Sequence, residues 1–210
     1  MSRRGYGVLL VAGAVLALDV AWAIAFPHVV RWLVEHRNPD TDDMFWWIGV
    51  IDLVLEVGMG GALALGMALV ARSSRLVRRR AILGSVFAAG TVLFVGLRMV
   101  VPYILENPYT EGSLTDWVYR ASTVMVVLLH GGALVMAALT LRAHASELEG
   151  TRIKSVATAM AMLVAIGLAM PLWRTFVERV DGSWGFGVDR VAVAVLFLVV
   201  VALMRRVEGS

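Results

Sequence analysis

Six long apolar runs, separated by short polar stretches, make up most of this chain, at approximately 6–27, 45–70, 81–103, 117–141, 154–173 and 188–204. Each comes close to the roughly 20 residues that an α-helix needs to cross about 30 Å of hydrocarbon. The runs are continuous, without the apolar–polar alternation of a barrel strand, so helices are expected; a helix satisfies its backbone donors and acceptors within its own segment. The pattern predicts an all-α membrane protein, a single integral domain over residues 1–210. Its six transmembrane helices would form three outward helical hairpins, with the N and C termini cytoplasmic.

Composition agrees. The 210 residues are 60% hydrophobic and 17% charged, with a mean hydropathy of +0.80. A soluble domain of this size exposes most of its residues and could not hide so much apolar surface. No cysteine is present, which excludes disulfides, thiolate metal sites and a cysteine nucleophile.

Charge sets the expected orientation. Arg3, Arg4, Arg72, Arg75, Arg78, Arg79, Arg80, Arg142, Arg152, Lys154, Arg205 and Arg206 fall on one side of the predicted spans. Arg31, Arg37, Arg174, Arg179 and Arg190 fall on the other. Twelve against five marks the first side as cytoplasmic, because short basic loops stay inside. A plasma membrane location, the inner membrane of a bacterium, follows as an expectation. The run from Arg72 to Arg80 reads as a topology signal in contact with anionic headgroups, not a nucleic-acid site. Met1–Arg4 followed by an apolar run and Ala21-Trp22-Ala23 has the outline of a cleaved signal peptide, which would leave five spans. The apolar run continues through Ile24, Ala25 and Phe26, however, where a cleavage site normally opens into polar sequence.

The hairpins share features. Pro27, Pro102 and Pro171 sit near the outer ends of the odd spans, and Asp43, Asp116 and Asp189 precede the return spans. Trp46 and Gly60-Gly61-Ala62-Leu63 recur 71 residues later as Trp117 and Gly131-Gly132-Ala133-Leu134. Both a tandem hairpin origin and convergence on interfacial residues explain this pattern. All seven tryptophans, Trp22, Trp32, Trp46, Trp47, Trp117, Trp173 and Trp184, lie in the outer half or outer loops. They read as interface aromatics, with an aromatic-walled pocket or partner surface as the sharper alternative. The stub from Pro27 to Glu35 is expected to lie flat on the outer interface.

Ionisable residues inside a span cost roughly 2.5–3.5 kcal/mol each at the centre and persist where they face the bundle. Asp19, Asp52, Glu56, Arg98 and His130 qualify, with Arg120 nearer the surface. From a 1.5 Å rise, Arg120 lies about 5 Å from the outer end, Arg98 and Asp52 about 8–10 Å, and Asp19 about 12 Å. Glu56 and His130 lie deeper, at about 17 and 20 Å. An outer layer pairing Asp19 and Asp52 with Arg98 and Arg120 is expected, above a deeper layer where Glu56 and His130 match. Asp52, Glu56 and Gly60 recur every four residues on one face, and Gly58, Ala62 and Gly66 form a small-residue strip, so span two is expected to be central, as is span four, its best sequence match. Towards the cytoplasm few polar groups follow, mainly Thr140, Ser155 and Thr158. A blind pocket fits this better than a channel.

Other chemistry lacks its residues. A two-histidine haem needs a second deep histidine, and His28 is too shallow. No zinc spacing, nucleotide loop or nucleophile elbow occurs, and Ser122 and His130 are about 12 Å apart along one helix. No cofactor, metal or catalytic activity is expected. The leading expectation is a non-enzymatic membrane protein with an outward polar pocket lined by Asp19, Asp52, Glu56, Arg98, Arg120 and His130, binding or moving protons or a small solute. A structural or accessory subunit of a larger membrane complex is the alternative, and an intramembrane redox anchor ranks third. Expected partners are the lipid bilayer and a protein partner or second copy within the membrane, with no nucleic acid.

Overall fold

The computed structural model describes residues 3–37, 41–73, 75–105, 114–147, 151–173 and 188–207. They form six helices, α1 (Arg3–Arg37), α2 (Thr41–Ser73), α3 (Arg78–Leu105), α4 (Leu114–Glu147), α5 (Thr151–Trp173) and α6 (Val188–Val207), and no strand occurs among the described residues. Each helix contains one of the apolar runs read from the sequence. Four carry stretches long and apolar enough to cross a membrane, at Gly5–His36, Trp46–Arg72, Arg78–Arg98 and Asp116–Ala143. The described apolar stretches of α5 and α6 are shorter, Lys154–Ala165 and Val193–Ala202. At 35, 33 and 34 residues, α1, α2 and α4 are about 50 Å long, beyond the thickness of bilayer hydrocarbon.

Each helix packs along the next, and α6 returns to α1, closing a ring. Neighbours run antiparallel. Along α1 and α2 the pairings are Gly5 with Val70, Leu9 with Gly66, Val15 with Gly58, and Trp22 with Asp52. The strip of small residues on α2 is therefore the α1 contact. A Cβ placed on Gly66 would lie 2.7 Å from Leu9 Cδ2 and 3.3 Å from the Leu9 backbone nitrogen, so glycine is what lets the helices approach so closely.

One sequence expectation changes here and a second is refined. The helix α1 runs through Pro27 to Arg37, so the Pro27–Glu35 stub extends α1 and is no separate interfacial segment. Proline lacks only its own donor, and the helix resumes on either side of that lost bond. Pro102 and Pro171 do lie in the last turns of α3 and α5. Of α2 and α4, the two spans expected at the centre, α4 is the more central. Besides packing along α3 and α5, α4 touches α2 and α6. Gly131, Ala133, Ala137 and Ala138 on it are buried and small enough to admit neighbours from several sides. On α2, by contrast, Trp46, Trp47, Ile51, Val54 and Leu65 face out of the bundle.

The apolar core lies towards the end where Arg72, Arg75, Arg78–Arg80 and Arg142 emerge. Tyr6, Leu9, Met67, Val70, Val77, Ala137, Leu141, Met160, Phe197 and Val200 are almost fully buried there. Among the described residues, α1 has no buried position beyond Val20, and α2 has none from Trp46 to Gly58. Packing is tight at this arginine-rich end and loosens towards the tryptophan-rich end.

Candidate functional site

The interior-facing positions of α3 follow a regular alternation of four and three residues: Val77, Ala81, Gly84, Ala88, Thr91, Val95 and Arg98. Such spacing keeps one stripe turned to the same side of a helix. The stripe is buried from Val77 to Val95 and ends on the half-buried Arg98. On α4 the corresponding stripe is Thr140, Ala137, Ala133, His130, Val126 and Thr123. On α2 it is Val70, Leu63, Met59, Glu56 and Asp52, and on α1 it runs from Leu9 through Ala12 and Leu16 to Asp19. The stripes of α1, α2 and α3 end on charged residues in the same direction, whereas that of α4 carries a buried threonine at each end with His130 between them. Asp19, Asp52, Glu56 and Arg98 thus share the tryptophan-rich part of the bundle interior, with His130 at the middle of α4.

The pairing differs from the expected layers. Arg98 Nη2 donates to Glu56 Oε2 at 2.9 Å, joining α3 to α2, with side chains only 14% and 26% exposed. The Trp22 indole Nε1 donates to Asp52 Oδ1 at 2.7 Å, joining α1 to α2. Arg120 Nε donates to Asp116 Oδ1 at 2.9 Å within α4, near the start of that helix, and both residues make further interactions. Arg98 has the reach to bridge from the shallower layer down to Glu56, which the depth of Cα positions alone hides. Asp19 and His130 each make interactions of their own.

The shared face of Asp52, Glu56 and Gly60 is a turning one. Four-residue steps advance about 400°, so each step rotates the stripe by about 40°. Asp52 consequently meets α1, while Glu56 meets Arg98 and Gly60 packs on Ala88 and Val92 of α3. The depth offset between Glu56 and His130, about 3 Å from the sequence, becomes about 6 Å in the helix register. Gly60 packs against Ala88 and Val92, and Gly90, between those two, packs on Leu129. His130 is therefore level with Gly60, about 6 Å deeper than Glu56.

Two contributors were not singled out from sequence. Trp22, read as an interface aromatic, points inward and holds Asp52; only Trp32, Trp46, Trp47 and Trp117 are exposed as a belt requires. Trp32 stacks on His36, with ring centroids 5.3 Å apart. The side chain of Trp173 and all of Trp184 lie outside the described residues. The second is Thr123, 5% exposed, whose Oγ1 has no hydrogen-bond partner among the described residues. Thr91, Thr140 and Thr158 behave differently, donating to the carbonyls of Phe87, Met136 and Lys154 four residues back. Those bonds also use up the hydroxyls of Thr140 and Thr158, two of the few polar groups on the arginine-rich side. The sevenfold spacing of Thr123 from His130 was the available signal, since it puts both on one α4 stripe.

No group of three or more histidine, aspartate or glutamate side chains able to hold a metal occurs among the described residues. Comparison with known protein families, curated proteins and solved structures gives no match.

Proposed function

We propose that this protein is a six-span, multi-pass component of a plasma membrane, the bacterial inner membrane. In this reading its tryptophan-rich end faces outward and opens as a polar vestibule that binds or moves protons or a small solute. The protein acts without catalysis or cofactor. Asp19, Asp52, Glu56, Arg98 and His130 line the vestibule, with Arg120 at its rim. The observation that carries the reading is that the interior stripes of α1, α2 and α3 all end on charged residues at one end of the bundle, while the other end is packed with apolar side chains. A bundle needing buried ion pairs merely to fix its helices would have no reason to leave polar atoms unengaged. Among the described residues, Arg98 donates through Nη2 alone, and Asp52 accepts through Oδ1 alone. The apolar plug from Leu9 and Met67 to Phe197 makes the path a blind one in this conformation.

The absence of native cysteine makes the test direct. Single-cysteine variants T123C and L93C are treated, in membranes, with a charged, water-soluble thiol reagent. The vestibule requires T123C to react and L93C, on the outward-turned face of α3, to stay unmodified. Failure of T123C to react removes the vestibule.

A further inference from the structure

Three features of the interior meet at one level. Thr123 lies six residues beyond Leu129, and Glu56 four beyond Gly60; those two reference positions pack against the same stretch of α3. Thr123 is therefore within about 3 Å of the height of Glu56, between it and Asp52. At that height stands the guanidinium of Arg98, a planar fork with five donors of which one is engaged among the described residues. Arg98 is also within electrostatic reach of Asp52, whose Oδ2 is open while Oδ1 is held by Trp22.

A buried hydroxyl without a partner costs about 1–3 kcal/mol, and a threonine in a helix can ordinarily avoid that by bonding the carbonyl one turn back. Three other threonines here do so. That Thr123 does not indicates a partner which enters from outside the protein. Spare donors on Arg98 and Thr123 select an acceptor, and the fork geometry suits a carboxylate. The open oxygen of Asp52 nearby selects a cationic donor. Because Glu56 already balances the charge of Arg98, a simple anion would gain hydrogen bonds but leave Asp52 without a counter-ion, and a simple cation would leave the spare donors unused; a molecule carrying both groups engages both.

We infer that the vestibule floor binds a small zwitterion of the amino-acid type, its carboxylate on Arg98 and Thr123 and its ammonium on Asp52. This rests on the vestibule reading and names its ligand class. Trp22 holds Asp52 in place from α1 and carries the signal of occupancy, because its indole bonds the carboxylate that the ammonium approaches.

The test uses the full chain in detergent micelles, with glycine, serine and leucine as probes, and acetate and methylammonium as single-charge controls. At least one zwitterion should shift tryptophan emission saturably, raise the thermal midpoint and protect T123C from the thiol reagent. Acetate and methylammonium at equal concentration should do none of this. T123V and R98Q should weaken the response about tenfold or more, and T123S should restore it. An equal response to acetate or methylammonium, or one unchanged in T123V, overturns the proposal. If T123C reacts but no zwitterion protects it or shifts emission, the ligand class is wrong and the vestibule stands. If T123C does not react, both fall.

Discussion

The Arg98–Glu56 pair stands where a charge is most costly to strand, with both side chains largely shielded. Removing one partner takes the ion-pair hydrogen bond away from the other in a largely shielded place. R98Q should therefore lower stability in detergent by about 1–4 kcal/mol, less than a fully buried pair would lose because both groups keep some exposure. The double variant R98Q/E56Q should recover part of that loss, and the thermal midpoints of the four-member cycle measure the coupling. Additive losses would mean that the two residues act independently. The Trp22–Asp52 bond is a smaller quantity. W22F keeps an aromatic body and removes the donor, so a loss of about 1 kcal/mol is expected, more if Asp52 finds no replacement. Arg120 and Asp116 form an i, i+4 pair near a helix end, where such pairs contribute about 0.2–0.5 kcal/mol, and D116N should leave the melting curve almost unmoved.

At the scale of elements, glycine placement decides how the ring closes. Gly66 lies against Leu9, and Gly60 against Val92 and the Ala88 carbonyl; a Cβ would crowd each site. Nothing lies within 4 Å of a Cβ at Gly61. G66V should separate α1 from α2 and cost about 1–3 kcal/mol. G61A should be tolerated or slightly stabilising, given that alanine is favoured over glycine in helices by about 1 kcal/mol. Equal effects in thermal melts would show that the α1–α2 contact is not held by close approach. The same contact explains why α2 turns Asp52 towards α1 while Glu56 reaches α3: the strip that docks on α1 fixes the rotation of the helix. The three arginines opening α3 oppose its dipole, with no acidic residue in that turn to compensate. Helix stability therefore does not account for their placement, whereas the proposed cytoplasmic side for this end does.

For the molecule as a whole, the division into a tight arginine-rich end and a looser tryptophan-rich end is what the proposed orientation and function both rest on. An impermeant thiol reagent applied to intact cells should modify W47C at once and L76C only after the membrane is opened. The reverse order would turn the bundle over and put the vestibule on the cytoplasmic side. The bundle's polarity is independent of that outcome, because it is set by which residues are buried.

Much of this architecture was legible from residues alone, since hydropathy is local: a run of about 20 apolar residues must be a helix in lipid wherever it packs. All six helices contain their sequence-read runs, and α1, α2 and α3 carry their interior charges towards the tryptophan-rich end. What chain position could not decide was rotation and neighbour identity. Depth along a helix is additive in the 1.5 Å rise, but the partner of a charge depends on where a long side chain reaches and which face a neighbour offers. Arg98 therefore reached Glu56 across the expected layers. Trp22 turned inward to Asp52, and of the two spans expected at the centre α4 is the more central because its small residues admit more neighbours. Thr123 shows the limit most plainly. Nothing in its identity separates it from Thr91 or Thr140, and only its surroundings in the folded bundle leave its hydroxyl without a bond.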